Sequence, residues 1–139
     1  MRFLVFIRYF IEFFLFKIVF IILSPFSSKI SKNIFSYSFM FIGRLSKYNK
    51  IAKNNCKIVF SDFSDKEITK IVNSSWKNLG KNLYELNNLK KLIDDKNAIE
   101  ILGLEKLKKI KKENSPVIFF SIHSGNWEIC VPILDKSGF

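Results

Sequence analysis

The longest apolar stretch of the chain lies near its N-terminus, over residues 3–23. It has roughly the 20 residues that a membrane-spanning helix requires. It also contains Arg8, Glu12 and Lys17, and each charge at a bilayer centre costs about 2.5–3.5 kcal/mol on insertion scales. Arg8 and Glu12 are spaced to pair across one helical turn, and Lys17 can extend toward an interface. We therefore expect a membrane-embedded helix, either a tilted span or a helix lying deep in the interface.

Basic residues follow this stretch far more often than they precede it. Arg2 stands before it, whereas a series of lysines and Arg44 follows between residues 29 and 57. The positive-inside rule then places the rest of the chain in the cytoplasm. Residues 30–45 form a second apolar helical pattern with basic ends. We expect this helix to lie on the membrane or to pack on the first helix.

A third helix is marked by its own start signal. Residues 64–67, with the sequence SDKE, form a capping box, and apolar residues follow at helical spacing from Ile68 to Leu89. Lysines and asparagines occupy the other face. Gly80 lies inside this pattern, where glycine costs about 1 kcal/mol relative to alanine. We therefore expect a neighbouring element to pack closely against Gly80.

The C-terminal third alternates between two periodicities. Residues 98–102 predict a short strand, Gly103 opens a lysine-rich helix through Lys112, and residues 117–122 predict a buried strand followed by another helix. This order indicates an α/β sheet flanked by helices. Two strands alone leave a sheet unpaired, so we expect a truncated fragment of a longer protein. The predicted division is an N-terminal anchor over residues 1–28 and an incomplete domain over residues 29–139.

The composition is strongly basic, with a formal net charge of +11 and a pI of about 9.7. Such a charge favours an anionic partner, either a membrane surface or an acidic carrier protein, and no nucleic-acid-binding motif accompanies the lysines. The lysines of residues 106–112 form either a solvated helix face or a surface for one of these partners. Cys56 and Cys130 lie far apart and fit neither a disulfide framework nor a metal site.

The chain has a single histidine, His123, directly after the predicted strand over residues 117–122, and Glu128 follows five positions later. Gly125 would let the backbone approach a ligand, and Asn126 could cap the next helix. Free N–H groups at that helix start would stabilise an oxyanion. A carboxylate near an imidazole holds its tautomer and favours the imidazolium that forms on taking a proton.

No serine or cysteine occupies a nucleophile elbow, so direct attack by a substrate hydroxyl is the simplest mechanism. His123 would act as general base, an effect worth about 10²–10⁴-fold in rate. The alternative is that the spacing from His123 to Glu128 is a chance occurrence and that the histidine only completes a turn. Trp127 either lines a lipid groove or packs between helix and sheet. Glu85 either pairs with a lysine, which we favour, or belongs to the site.

The hexapeptide HSGNWE at residues 123–128 resembles the His-x-Gly-Asn-Trp-Glu form of a motif in the bacterial lipid A biosynthesis acyltransferases, the lauroyl/myristoyl transferase family. Further segments are similar in the same order. The family's helix entry is similar to residues 51–55 followed by residues 60–67. Its N-x-G-(R/K)-x-x-x-E segment is similar to residues 78–85 (NLGKNLYE), and its hydrophobic-x-G-x-E step to residues 101–105 (ILGLE). The chain departs from the family in having Ser61 in place of proline, in the charges of its first helix, and in lacking the second half.

The resemblance implies a glycerolipid-acyltransferase-like fold with an N-terminal membrane helix, located at a bacterial inner membrane with the catalytic part facing the cytoplasm. It implies an acyl-carrier-protein or coenzyme A thioester as donor and a hydroxyl of a lipid A precursor as acceptor, with no metal or other cofactor. His123 and Glu128 would be catalytic, and Gly125, Asn126 and Trp127 would bind substrate. The fragment alone is expected to be inactive. The alternatives are another lipid acceptor (lysophospholipid, ornithine lipid or glycolipid) and a non-catalytic basic membrane-binding protein.

Overall fold

The structure, a computed structural model, describes residues 2–95, 97–114 and 116–139, with side chains from Leu4 onward. Helices dominate this part of the chain. They are α1 (Arg2–Leu23), α2 (Ser28–Leu45), α3 (Lys47–Val59), α4 (Asp65–Asn87), α5 (Leu89–Asp94), α6 (Leu104–Glu113) and α7 (Cys130–Lys136), with a 3₁₀ turn over Trp127–Ile129 before α7.

The predicted α/β sheet is wrong. No strand occurs in the described ranges, and residues 98–102 and 117–122 run as irregular chain. Ile118 and Phe120, expected to be buried in the sheet, are 88% and 95% exposed. β-Branched and aromatic residues fit a pleated surface, but a strand also needs a partner whose N–H and C=O groups complete the ladder. Neither run has such a partner here, so composition alone does not produce a strand.

The predicted membrane-spanning helix is also wrong. None of the helices within the described ranges is both long and apolar enough to cross a membrane. α1 has 22 residues, but Arg8, Glu12 and Lys17 interrupt its apolar sequence. The predicted pair forms, with Arg8 Nε 3.1 Å from Glu12 Oε1, and the Lys17 ammonium lies 5.7 Å from the centre of the Phe13 ring.

α2 and α4 pack along each other and form the centre of the fold. Phe35 of α2 and both Ile68 and Val72 of α4 are almost completely buried. The helix predicted over residues 30–45 is confirmed as α2, and it does contact α1, since Phe20 packs on Phe35 with ring centres 4.9 Å apart. Its larger interface with α4 was not predicted, because periodicity identifies an apolar face without identifying what covers it.

The predicted start of α4 is confirmed. The Glu67 N–H donates to Ser64 Oγ, and the Ser64 N–H donates to Glu67 Oε2 at 2.8 Å. The Ser64 hydroxyl and backbone N–H lower the pKa of the Glu67 carboxyl group, because both stabilise its charged form. A neighbouring ion pair, 2.5 Å between Lys57 Nζ and Asp65 Oδ1, joins α3 to the start of α4 and lowers the pKa of Asp65.

Gly80 is the point of closest approach between α4 and α2. A Cβ atom built at Gly80 would lie 2.7 Å from the carbonyl carbon of Phe35 and 2.9 Å from Cβ of Phe39. The first of these neighbours is main chain, which cannot rotate away as a side chain can. The predicted close packing at Gly80 is therefore confirmed, and the backbone of α2 is what approaches it.

Replacing Gly80 by alanine tests this contact. Alanine improves helix propensity by about 1 kcal/mol, but overpacking costs about 1–3 kcal/mol and here separates two helix backbones. We expect Gly80→Ala to lower the free energy of unfolding, measured by urea titration followed by circular dichroism. Ser74→Ala, at an exposed position of the same helix, should stay within about 0.5 kcal/mol of the parent. A Gly80→Ala variant as stable as the parent would contradict the close contact.

Candidate functional site

An open groove of about 860 Å³ separates one face of α4 from the segment that carries His123. α4 contributes two rows of residues spaced four apart, the periodicity of one helix face. The first row is Glu67, Ile71, Ser75 and Leu79, and the second is Lys70, Ser74, Asn78 and Asn82. The remaining wall is formed by Phe63, His123, Ser124, Gly125 and Trp127. The volume is within the range of about 300–1,000 Å³ that is usual for small-molecule sites.

Two asparagines of α4 hold the loop that follows His123. The side-chain amide of Asn82 donates to the carbonyl oxygen of Gly125 at 2.7 Å, and that of Asn78 donates to the same oxygen at 3.3 Å. Gly125 has a φ of +58°, a conformation that a residue with a Cβ rarely adopts. The carbonyl oxygen of Gly125 is thus fixed by two donors from successive turns of one helix.

A second attachment joins the loop to α2 as well. The side-chain amide of Asn126 donates to Glu85 Oε2 at 2.6 Å, and Glu85 Oε1 lies 2.6 Å from Lys32 Nζ. The Glu85 side chain is only 18% exposed, so this ion pair is less screened than a surface pair. Glu85 therefore makes the predicted lysine pair and also contacts a predicted site residue. The carbonyl oxygen of the Asn126 side chain is buried without a hydrogen-bond partner in the described structure.

His123 and Trp127 lie side by side at the edge of the groove. Their ring centres are 4.4 Å apart, with the planes inclined at 57°. His123 is exposed and does not end a strand, contrary to the prediction, because the residues that the structure describes form no sheet. Glu128 lies in the 3₁₀ turn and is half-buried. Within the described ranges, no hydrogen bond or ion pair connects Glu128 to His123, and Glu128 does not line the groove.

The other predicted site residues take different places. Gly125 and Trp127 line the groove with His123, whereas Asn126 does not. Asn126 precedes the 3₁₀ turn but makes no side-chain cap there, so the predicted cap is wrong, and its amide binds Glu85 instead. No atom of the described residues lies within 4 Å of a Cβ atom built at Gly125, which leaves open space on that side of the loop.

Sequence reasoning missed Asn78 and Asn82 as residues that hold the loop. The available signal was the spacing of polar residues every four positions along α4, which marks a continuous polar stripe. The spacing does not show what the polar stripe contacts, because Gly125 lies 43 residues beyond Asn82 in the sequence. Cys56 and Cys130 are free, and no group of three potential metal ligands occurs among the residues that the structure describes.

Comparison with known proteins identifies one family. The family model described as bacterial lipid A biosynthesis acyltransferase matches residues 2–138, essentially the whole chain. No curated protein and no solved structure matches the chain. The match confirms the predicted family, and its range includes both the helix pair that forms the core and the loop that carries His123.

The hydrogen bonds from α4 predict how firmly the His123 loop is held. Asn82→Ala removes the shorter of the two bonds to Gly125 and should speed hydrogen exchange of the Ser124 and Ile129 amides about fivefold, the effect of losing a bond worth about 1 kcal/mol. Asn87→Ala, at an exposed position of the same helix, is the matched control and should leave exchange unchanged. Equal exchange in both variants would show that Asn82 does not restrain the loop.

Proposed function

The chain belongs to the bacterial lipid A biosynthesis acyltransferase family, and we propose that it moves a fatty acyl chain from a carrier-protein or coenzyme A thioester to a hydroxyl of a lipid A precursor. One observation carries the assignment of the site. The sequence contains a single histidine, and its ring lies at the edge of a large groove, on a loop that α4 holds at two points. A base in such a position can meet a hydroxyl that enters the groove.

The proposed reaction is one displacement with two proton movements. The His123 imidazole takes the proton of the acceptor hydroxyl while the hydroxyl oxygen attacks the thioester carbonyl carbon. The new carbon–oxygen ester bond forms, the carbon–sulfur bond breaks, and the imidazolium returns its proton to the departing thiolate. Direct attack of this kind requires no covalent acyl-enzyme intermediate.

The groove has walls of two kinds, which suits an amphiphilic substrate. Phe63, Ile71, Leu79 and Trp127 supply apolar surface, along which an acyl chain would lie. Lys70 supplies a positive charge that would attract the phosphate of a phosphorylated glucosamine lipid. The serines and asparagines of α4 offer hydrogen bonds to sugar hydroxyls. Gly125 and Trp127 are the proposed substrate-binding residues of the loop, with Asn126 fixing their position through Glu85.

Glu128 is proposed to support His123 by charge rather than by a direct hydrogen bond in this conformation. It lies in the turn immediately after the loop, and a carboxylate close to an imidazole stabilises the imidazolium formed during the reaction. Its side chain is half-buried, so its charge is less screened by solvent than that of a surface residue.

We also propose that the chain acts at the cytoplasmic face of the inner membrane, with α1 in the membrane interface. Large apolar residues of α1 are exposed, among them Phe10 at 54% and Ile22 at 62%. Large exposed apolar residues along one helix favour a lipid environment. The lysines that follow α1 would add attraction to anionic lipid headgroups.

His123→Ala should reduce acyl transfer by about 10²–10⁴-fold, the usual contribution of a general base, while leaving the fold intact. The assay follows a labelled acyl chain from carrier protein to a lipid A precursor, using membranes of cells that express the protein. Glu128→Ala should also be severely impaired. Glu100→Ala removes an exposed carboxylate outside the groove and is the matched control, expected to keep parental activity. Thermal melting checks the folding of each variant.

Two results would contradict this mechanism. A His123→Ala enzyme with nearly parental turnover would exclude the histidine as the base. Accumulation of an acyl group bound covalently to a serine or cysteine of the protein, detected by intact-mass spectrometry after rapid quenching, would exclude direct attack.

The membrane proposal predicts a specific role for the exposed face of α1. Phe10→Ser combined with Phe14→Ser should release the protein from membranes during a high-salt wash, because each lost apolar side chain weakens insertion by about 1.5–3 kcal/mol. Ile58→Ser combined with Val59→Ser removes similarly exposed apolar residues from the end of α3 and should leave the protein bound. Release of the parent protein by salt alone would show adsorption through charge and would refute the proposal.

A further inference from the structure

A second groove, of about 940 Å³, lies on another part of the chain. Its walls are α5, α6, α7 and the connection between α5 and α6. It shares no lining residue with the groove that contains His123. The proposed acyl transfer therefore gives it no role.

The lining of this second groove is divided between aliphatic and basic residues. Its aliphatic surface is formed by Ile93, Ile99, Ile101, Leu104, Leu107 and Ile133. Its lysines are Lys108, Lys111, Lys112 and Lys136, against Asp95 as the acidic lining residue. Aliphatic surface beside a cluster of positive charge matches a ligand that has an alkyl chain and an anionic group.

Three of the lysines belong to α6 and are only partly neutralised. Lys108 pairs with Glu105 at 2.7 Å, and the Lys111 ammonium lies 3.5 Å from the carbonyl oxygen of Ser137. Lys112 makes no ion pair among the described residues. Positive charge thus remains available beside the aliphatic surface.

The lysine on α7 is used differently. Lys136 pairs with Asp94 at 2.9 Å and also donates to the carbonyl oxygen of Ile93 at 3.3 Å. Its ammonium group lowers the pKa of Asp94, because it stabilises the carboxylate. These contacts tie α7 to the end of α5, so they hold two walls of the groove together.

We propose that this groove binds a monoacyl lipid with an anionic headgroup, the alkyl chain lying on the aliphatic surface and the headgroup meeting Lys111 and Lys112. The concave aliphatic surface accommodates an alkyl chain, which a free inorganic anion lacks. The lysines select a charged headgroup over a neutral one. The volume is sufficient for a ligand of this size.

The probe is dodecyl phosphate with a diazirine at the chain end. It is added to the full chain in a steroid-based non-ionic detergent, whose rigid rings do not imitate an alkyl chain. After irradiation, peptide mass spectrometry should find the label on Ile93, Leu107 or Ile133 or on their immediate neighbours. Excess unlabelled dodecyl phosphate should suppress the labelling, whereas inorganic phosphate or dodecyl maltoside at the same concentration should not.

Charge reversal on α6 tests the headgroup contact without disturbing the aliphatic surface. Lys111→Glu with Lys112→Glu should raise the probe concentration that gives half-maximal labelling by about tenfold or more, as expected when charge-assisted contacts are lost. Lys106→Glu with Lys109→Glu makes the same charge change on residues of α6 that do not line the groove, and should leave labelling unchanged. His123→Ala should also label normally, which separates this proposal from the catalytic one.

Several outcomes would overturn the inference. Label spread over α1 or confined to the His123 groove would mean that the second groove is not the site. Equal loss of labelling in both charge-reversal variants would show that the probe responds to the overall charge of α6 and not to contacts with Lys111 and Lys112. Suppression by dodecyl maltoside would show a site for any alkyl chain, without selection for an anionic headgroup.

Discussion

The close approach of α2 and α4 at Gly80 sets the position of the contacts that hold the loop after His123. Without a side chain at Gly80, the backbone of α2 at Phe35 rests directly against α4. Lys32, one turn before Phe35, can then reach Glu85, and Glu85 in turn accepts a hydrogen bond from Asn126. The spacing between two helices thereby determines where the loop after His123 is held, although Gly80 itself is not part of the groove.

α4 both packs in the core and lines the groove, and different faces of the helix do so. One face carries Ile68 and Val72 into the core, and the other lines the groove and donates from Asn78 and Asn82 to the loop. The proposed base therefore depends on a helix for its placement, not on the edge of a sheet. Hydrogen bonds from consecutive turns of a rigid helix are an effective way to hold a functional loop, because they restrain it in one register.

The features that could be predicted from the sequence were those decided locally. The capping box at Ser64 marks the start of α4 through bonds three residues apart, and Gly80 indicated close packing because glycine is costly inside a helix. The strand predicted over residues 117–122 was wrong because a strand depends on a partner elsewhere in the chain. The contacts of Asn82 and Glu85 with the loop, more than 40 residues away, could not be inferred from spacing.

The proposed mechanism requires that an acceptor hydroxyl meets His123 in the groove beside α4. An experimental structure of the protein with a lipid A precursor bound, and with no acyl donor present, tests this placement. We expect the acceptor hydroxyl within hydrogen-bond distance of the His123 imidazole, about 2.6–3.2 Å, and the lipid against Leu79 and Trp127. A hydroxyl bound away from His123, with the groove occupied only by solvent, would contradict it.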